Sequence, residues 1–248
     1  SCDTLGGTFK GKPTGIYSDI SVTSFYGSHI INGAGGGGMI MVNDPKWAQR
    51  LTVLRGWGRQ SSIYGEKANS ELLKNRFNFK LGGIPYDNKF IFSEVGYNFL
   101  PLEISSAFAL AQFKRLPGFL KQREENFDRM MKFIGEKDKY FILPSQTPDT
   151  KTAWLAFPVI IKPKSPFTRL EIVTFLENNN IQTRPVFTGN ILKQPGYKKI
   201  ENRKIGEAFP NTELIMKNAF VLACHHGLNA EQITYLQDKL NEFLARYK

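Results

Sequence analysis

The sequence predicts a mixed α/β chain whose second half is an α+β domain. From Glu103 onwards apolar side chains recur at helical spacing, whereas the apolar run 154–161 has the composition of a buried strand. Near the C-terminus, Asn229 and Gln232 have the spacing of a capping box, and a single apolar stripe follows them. Helices and strands that alternate in this way predict helices packed on a sheet.

The elements follow from periodicity and from turn residues. Side chains that alternate along the chain define the first strand. Pro117 lacks the amide that a helix interior needs, so we expect a helix to end there. The polar, weakly periodic stretch 59–88 predicts a long functional loop with short elements. In chain order we predict two strands, a helix, that loop, two consecutive helices, a strand, a helix, two strands and a final helix. They cover residues 19–25, 39–42, 45–55, 59–88, 103–117, 119–133, 154–161, 168–178, 181–186, 220–224 and 229–244.

Composition and charge narrow the choice of partners. Among 248 residues, 41% are hydrophobic and 22% charged, which is ordinary for a soluble globular protein. The sequence contains no apolar run of the roughly 20 residues that a membrane helix needs, and no signal-peptide layout. The formal net charge of +11 favours anionic partners, but the basic residues are scattered rather than interleaved with aromatic ones. We therefore expect a cytoplasmic protein that binds neither membrane nor nucleic acid.

Residue chemistry alone leaves the candidate sites open. The glycines at 33–38 match a dinucleotide fingerprint formally, but a strand follows them where that site needs a helix, so a close-approach turn is preferred. Two cysteines and three histidines match no metal-binding spacing, so we expect no metal. His225 and His226 are predicted in a polar turn, and His29 by itself is compatible with a structural imidazole.

Five motifs follow one another along the chain: SCDTLG from Ser1, SFYGSH from Ser24 to His29, RGWGR from Arg55, GYNF from Gly96, and TRP from Thr183 with Gly189-Asn190. In this order they resemble the DegT/DnrJ/EryC1/StrS family, in particular its sugar 3-dehydratases. The resemblance implies the aspartate-aminotransferase-like fold type I, with active sites at a homodimer interface. It makes 1–104 the C-terminal part of the large coenzyme-binding domain, and 105–248 a long helix with a small α+β domain.

The family uses pyridoxal phosphate (PLP) or its amine form (PMP), and the resemblance assigns the site residues. His29 stands where the family's aminotransferases carry the coenzyme lysine. Ser24 matches the hydroxyl that binds the coenzyme phosphate, and Asn98 the residue offered to that phosphate by the neighbouring subunit. Asp3 matches the contact on the side of the ring hydroxyl. Substrate or cosubstrate positions are matched by Arg59, Arg184 and Asn190.

Histidine at the lysine position changes the implied reaction. An imidazole cannot form the stable covalent imine that lysine forms with the coenzyme, so the coenzyme would be held non-covalently and used as PMP. Histidine titrates near neutral pH, which suits His29 as the base. The implied function is a lyase: PMP/PLP-dependent 3-dehydration of a nucleotide-diphosphate 4-keto-6-deoxy-hexose in deoxysugar or lipopolysaccharide biosynthesis.

The family's dehydratases form two branches, one with an iron–sulfur cluster and one that regenerates PMP from glutamate. The cysteine group that follows RGWGR in the cluster branch is replaced here by Gln60-Ser61-Ser62-Ile63. Because such a cluster needs four cysteines, we expect no iron–sulfur cluster and L-glutamate as the amino donor.

Two alternatives stay open. A sugar-nucleotide aminotransferase of the same family would need lysine at position 29. In the family, another half precedes the matched part and contains the aspartate that pairs with the pyridine nitrogen of the coenzyme. That half lies before Ser1. If it is not supplied, a non-catalytic dimerisation or sugar-nucleotide-binding remnant is favoured. The opening without methionine is typical of a fragment or a processed piece.

Overall fold

The chain forms two compact units. The computed structural model describes residues 1–65, 72–204, 206 and 208–247. The first unit comprises Ser1–Cys2 with Thr14–Phe113, and the second Asp3–Pro13 with Lys114–Lys248. The division into 1–104 and 105–248 stays a prediction about domains, and the two units are described separately.

The secondary structure is mixed, as the sequence predicts. The strands are β1 Thr8–Phe9, β2 Lys12–Pro13, β3 Ile20–Ser24, β4 Gly38–Val42, β5 Phe79–Leu81, β6 Ile84–Tyr86, β7 Phe141–Ile142, β8 Thr150–Lys151, β9 Ala156–Ile161, β10 Thr183–Pro185 and β11 Ala219–Ala223. The α-helices are α1 Pro45–Arg55, α2 Leu73–Arg76, α3 Glu103–Gly135, α4 Arg169–Asn178, α5 Pro210–Asn218 and α6 Ala230–Leu244. None of the helices in the described ranges has both the length and the apolar composition needed to cross a membrane.

In the first unit, an antiparallel pair of strands leads into a capped helix. β3 pairs with β4, with Ser24 opposite Gly38. α1 then begins after Asp44, whose Oδ1 accepts a 2.7 Å hydrogen bond from the amide of Lys46. Pro45 at the first helical position needs no amide partner, so the helix start is well defined. The two predicted strands and the predicted helix are confirmed.

The predicted loop 59–88 contains short elements. It starts with a 3₁₀ helix, Gln60–Tyr64, and later includes α2 and the β5–β6 hairpin. Residues 66–71 of this loop lie outside the described residues. The prediction of short elements in a long connection is confirmed for the described part.

The predicted break at Pro117 is wrong, because α3 runs through it. A proline inside a helix removes one backbone hydrogen bond and costs about 3 kcal/mol. On either side of it, however, Leu116 and Met130 are buried, and each such side chain contributes on the order of 1.5–3 kcal/mol. Packing therefore outweighs the local preference of the proline.

The second unit is built on an antiparallel sheet. Its strand order is β10-β11-β9-β7, and the inward side chains of β9 alternate with less buried ones. Capping boxes start α4 at Thr168 and α6 at Asn229, as predicted. Fully buried side chains from the sheet and both helices share one core, which confirms the α+β prediction for this part of the chain. They include Phe157, Val159, Ile172, Leu176, Phe220, Leu222, Ile233, Leu240 and Phe243.

Candidate active site

Ser24 and His29 are brought together by a tight turn at the end of β3. The hydroxyl of Ser24 accepts a 3.2 Å hydrogen bond from the amide of Tyr26, and the amide of His29 donates to the carbonyl of Tyr26 at 3.1 Å. The turn folds the imidazole back, so that its Nδ1 lies 3.3 Å from the carbonyl oxygen of Ser24. The ring of Tyr26 also contacts the imidazole edge-on, at 6.0 Å between centroids.

The contact with Ser24 orients the imidazole of His29. A carbonyl oxygen can only accept, so Nδ1 is the donor in this hydrogen bond. The side chain is half-buried. An imidazole held in one orientation suits a general base.

The glycine-rich stretch closes this turn. A Cβ on Gly33 would lie 2.1 Å from the carbonyl oxygen of Gly36, and Gly35 and Gly37 have φ of +116° and +107°. The amide of Gly33 donates to the carbonyl of Phe25 at 2.7 Å, which returns the chain to β4. The interpretation of the glycines as a close-approach turn is confirmed.

The RGWGR motif positions Arg59. Gly58 has φ of +79°, and a Cβ there would meet the carbonyl oxygen of Glu94 at 1.9 Å, so only glycine fits this position. The guanidinium of Arg59 lies 4.5 Å from the ring centre of Trp57 and 5.8 Å from that of Phe92. Its Nε is buried and has no hydrogen-bond partner in the described part of the chain. The arrangement presents a guanidinium whose donors suit an anion.

Asn98 is held by backbone pairing. It forms an isolated antiparallel bridge with Gly56, and the neighbouring amide of Trp57 donates to the carbonyl of Tyr97 at 2.8 Å. The side chain of Asn98 is exposed. Ser24, His29, Arg59 and Asn98 thus belong to the first unit, where Ser24 and His29 are in direct contact.

The other three predicted site residues belong to the second unit. Asp3 lies in a 3₁₀ helix, Cys2–Thr4. Arg184 on β10 is exposed and donates to the carbonyl of Thr183 at 2.7 Å. Asn190 is buried, with Nδ2 donating to Glu213 at 2.7 Å and Oδ1 accepting from the amide of Leu192 at 3.0 Å. The side chain of Asn190 therefore organises the loop before α5 in this structure, and its substrate role stays a prediction.

A buried arginine escaped the sequence analysis. Arg123 on α3 is 2% exposed, and its Nη1 donates to the carbonyls of Trp154 and Leu155 at 3.2 and 3.1 Å. Its Nε donates to Nδ1 of His226 at 3.2 Å. Burial lowers the pKa of Arg123, while Cys224 and Asp3 act in the opposite direction. A single arginine in a helix with a polar face gives no sequence signal for such a network.

The cluster around Arg123 keeps its neighbours neutral. The ring of His226 stacks on Phe119 at 3.9 Å between centroids. Burial and then the charge of Arg123 lower the pKa of His226 to about 4. Burial also lowers the pKa of His225 and raises that of Cys224 to about 12. The two histidines do follow a strand, as predicted, but His226 is a hydrogen-bonded part of the packing.

Two solved structures that share this fold contain PLP or a PLP adduct. E. coli GDP-4-keto-6-deoxy-D-mannose-3-dehydratase with bound hydrated PLP matches with a TM-score of 0.80 and 28% identity, over 97% of this chain and 59% of that chain. A GDP-4-keto-6-deoxymannose-3-dehydratase with a trapped PLP–glutamate geminal diamine matches with a TM-score of 0.78 and 26% identity, over 97% of this chain and 59% of that chain. The fold is therefore the aspartate-aminotransferase-like fold type I.

The sequence comparison gives the family. The DegT/DnrJ/EryC1/StrS aminotransferase family matches residues 1–241, and the chain belongs to it, which confirms the resemblance. The dTDP-4-dehydro-2,6-dideoxy-D-glucose 3-dehydratase of Saccharopolyspora spinosa is 32% identical over 248 residues, which are 99% of this chain and 53% of that protein. The chain thus spans about half the length of the curated relatives it matches.

Proposed function

We propose that this chain carries the catalytic base and part of the coenzyme site of a PMP/PLP-dependent sugar-nucleotide 3-dehydratase. The single observation behind the proposal is the contact of His29 Nδ1 with the Ser24 carbonyl, at the residue that the family resemblance matches to the coenzyme lysine. The names of the relatives, which are 3-dehydratases, support it. An aminotransferase is disfavoured because position 29 offers no amine.

The residues of the turn fit the coenzyme that the fold family uses. The hydroxyl of Ser24 accepts its hydrogen bond from a backbone amide, so its own proton can be donated to a phosphate oxygen. His29, five residues further, does not compete for that hydroxyl, because it bonds to the Ser24 carbonyl instead. When bound, the coenzyme supplies an electron sink that stabilises a carbanion. The family resemblance adds Asn98 of a neighbouring subunit at the phosphate, and it matches Asp3 to a contact on the side of the ring hydroxyl.

His29 can act as base and then as acid. Nε2 can accept a proton while Nδ1–H remains bonded to the Ser24 carbonyl, and that hydrogen bond stabilises the imidazolium. The same nitrogen can return the proton to the C3 hydroxyl of a 4-keto sugar as the C3–O bond breaks, so that water leaves. Tyr26 at the ring edge limits the rotation of the imidazole.

The substrates are anions, in agreement with the basic character of the chain. The guanidinium of Arg59, which lies against Trp57, is the candidate for the diphosphate of a nucleotide sugar or the carboxylate of L-glutamate, with Arg184 and Asn190 as further candidates. The relatives act on dTDP-linked and GDP-linked sugars, so both nucleotides are candidates. The glutamate adduct in a related dehydratase supports glutamate as the amino donor. We propose that no iron–sulfur cluster takes part, since Gln60-Ser61-Ser62-Ile63 replace the cysteine group of the cluster branch.

A homodimer in the cytoplasm is part of the proposal. In the first unit, large apolar side chains near Asn98 in sequence are exposed: Phe99 by 68%, Leu102 by 74% and Ile104 by 79%. A second copy of the chain would cover them, and would bring Asn98 of one subunit to the coenzyme of the other. Exposed apolar patches of this kind are typical of subunit interfaces.

The test replaces His29 in the active enzyme. We expect His29→Asn to lower formation of the 3-deoxy product by about 10²–10⁴-fold, the usual contribution of a general base, with PMP binding retained. His29→Lys should instead hold PLP covalently and give a lysine-linked absorbance band. His225→Asn, at a histidine of the second unit to which the proposal gives no role, is the matched control and should keep activity. Product formation from dTDP- and GDP-4-keto-6-deoxy sugars, with and without glutamate, is followed by mass spectrometry.

Two results would overturn the proposal. Unchanged dehydration by His29→Asn would exclude His29 as the base. A chain that takes up no PMP, both alone and when mixed with the remaining part of the Saccharopolyspora relative, would favour the alternative of a non-catalytic sugar-nucleotide-binding remnant.

A further inference from the structure

The second unit contains a cleft that the proposed reaction does not use. It has a volume of about 600 Å³ and lies between the end of β9, the start of α4 and the end of α5. Its walls combine three cationic side chains with apolar ones, Phe167, Leu170 and Leu214 among them. The three cations are Lys162, Arg169 and Lys217.

The three cationic residues come from different parts of the fold and line one cleft. Lys162 follows β9, Arg169 begins α4, and Lys217 is near the end of α5. The guanidinium of Arg169 is held in place, because its Nη1 donates to the carbonyl of Ala219 at 3.2 Å. A guanidinium carries more N–H donors than this one hydrogen bond uses.

The nearby carboxylates do not neutralise this charge. Glu171 is bound to the amide and hydroxyl of Thr168, both at 2.7 Å, within the capping box. Glu213 binds Lys193 and Asn190. In the part of the chain that the structure describes, no carboxylate forms an ion pair with any of the three cations of the cleft. Like charges gathered in one concave surface raise the local concentration of anions.

We propose that this cleft binds a small molecule with two or more phosphate groups. Three cations exceed what a single carboxylate would need, and they can share the oxygens of a diphosphate. The volume lies within the roughly 300–1,000 Å³ of small-molecule sites. The apolar side chains of Leu170 and Leu214 can contact the non-phosphate part of the ligand. The ligand class is thus a nucleoside diphosphate or inorganic pyrophosphate.

Calorimetric titration of the full chain with inorganic pyrophosphate and with GDP tests this site. We expect Lys217→Gln and Lys162→Gln each to weaken binding about tenfold, the loss of one charge-assisted hydrogen bond. Lys164→Gln is the matched control, because Lys164 is exposed on the same loop and does not line the cleft. It should bind as the wild type does. A circular dichroism spectrum confirms that each variant is folded.

The outcomes separate the cleft from the proposed active site. Binding that is weakened by Lys217→Gln but not by Lys164→Gln supports the cleft, and tighter binding of GDP than of pyrophosphate identifies a nucleotide as the ligand. Absence of pyrophosphate and GDP binding overturns the proposal. So does GDP binding that Lys162→Gln and Lys217→Gln leave unchanged, because the nucleotide is then bound elsewhere. Equal weakening by Lys164→Gln also overturns it, since the attraction is then that of a diffusely basic surface.

Discussion

Acidification should destabilise the second unit through His226. In the folded chain, Nδ1 of His226 accepts the 3.2 Å hydrogen bond of the buried Arg123, and the imidazole stacks on Phe119. A proton on Nδ1 would remove the acceptor and place a second positive charge beside the guanidinium. Protonation therefore opposes folding at this position.

The direction and the size of the pH effect follow from the pKa of His226. The pKa of His226 falls from an ordinary 6.5 to about 4 in the folded chain, so the unfolded chain binds more protons between these values. The stabilising effect of the neutral imidazole is complete above 6.5 and is lost as the pH falls through that window. Linkage gives about 2 kcal/mol between about pH 7 and about pH 5. Because His226 is partly exposed, we halve this to about 1 kcal/mol.

The assay compares the wild type with His226→Gln. Glutamine can still accept from Arg123 but does not titrate in this range. Hydrogen exchange measured by mass spectrometry on peptides from β11 and α6 gives the local free energy of opening at each pH. Between about pH 7 and about pH 5, we expect the free energy of opening to fall by about 1 kcal/mol more in the wild type than in the variant. Burial also lowers the pKa of His225, so the variant keeps a smaller pH dependence. Identical pH dependence in both proteins would refute the assignment.

Two further predictions concern the first unit. Gly58→Ala should lower the stability of the first unit by about 2 kcal/mol or more, because the residue has positive φ and a Cβ would overlap the carbonyl of Glu94. Gly82→Ala is the control, since a Cβ there meets open space, and thermal unfolding should show a loss of about 1 kcal/mol. Combining Leu102→Glu with Ile104→Glu should convert a dimer into a monomer in sedimentation, whereas Ile200→Glu should not. A wild-type chain that sediments as a monomer would contradict the dimer.

Local signals predicted most of the fold. The capping boxes at Thr168 and Asn229 and the helix that begins after Asp44 depend on residues a few positions apart, so they can be recognised in the sequence. The continuity of α3 through Pro117 could not, because it depends on the burial of side chains such as Leu116 and Met130 in the folded chain. Tertiary packing there outweighed a correct local preference.

The candidate site was predicted by motif and completed by geometry. The sequence identified His29 by its place in SFYGSH, but the orientation of its imidazole depends on the Ser24 carbonyl, which the turn brings back to the ring. Arg123 shows the opposite case. Its partners are Trp154, Leu155 and His226, which lie 31, 32 and 103 residues away along the chain. No local pattern encodes a contact at that separation, so the network is visible only in the structure.

The hairpin that carries Ser24 shows what the site needs around it. Both faces of the hairpin expose large apolar side chains. One face carries Val22 and Ile40, which are 52% and 51% exposed. The other face carries Met39 and Met41, which are 50% and 41% exposed. Strands with apolar side chains on both faces are typical of sheets that are covered on both sides. The position of His29 depends on the end of this strand, because Ser24 supplies the carbonyl that orients the imidazole. The orientation of the His29 imidazole therefore depends on how firmly both faces of β3 and β4 are packed.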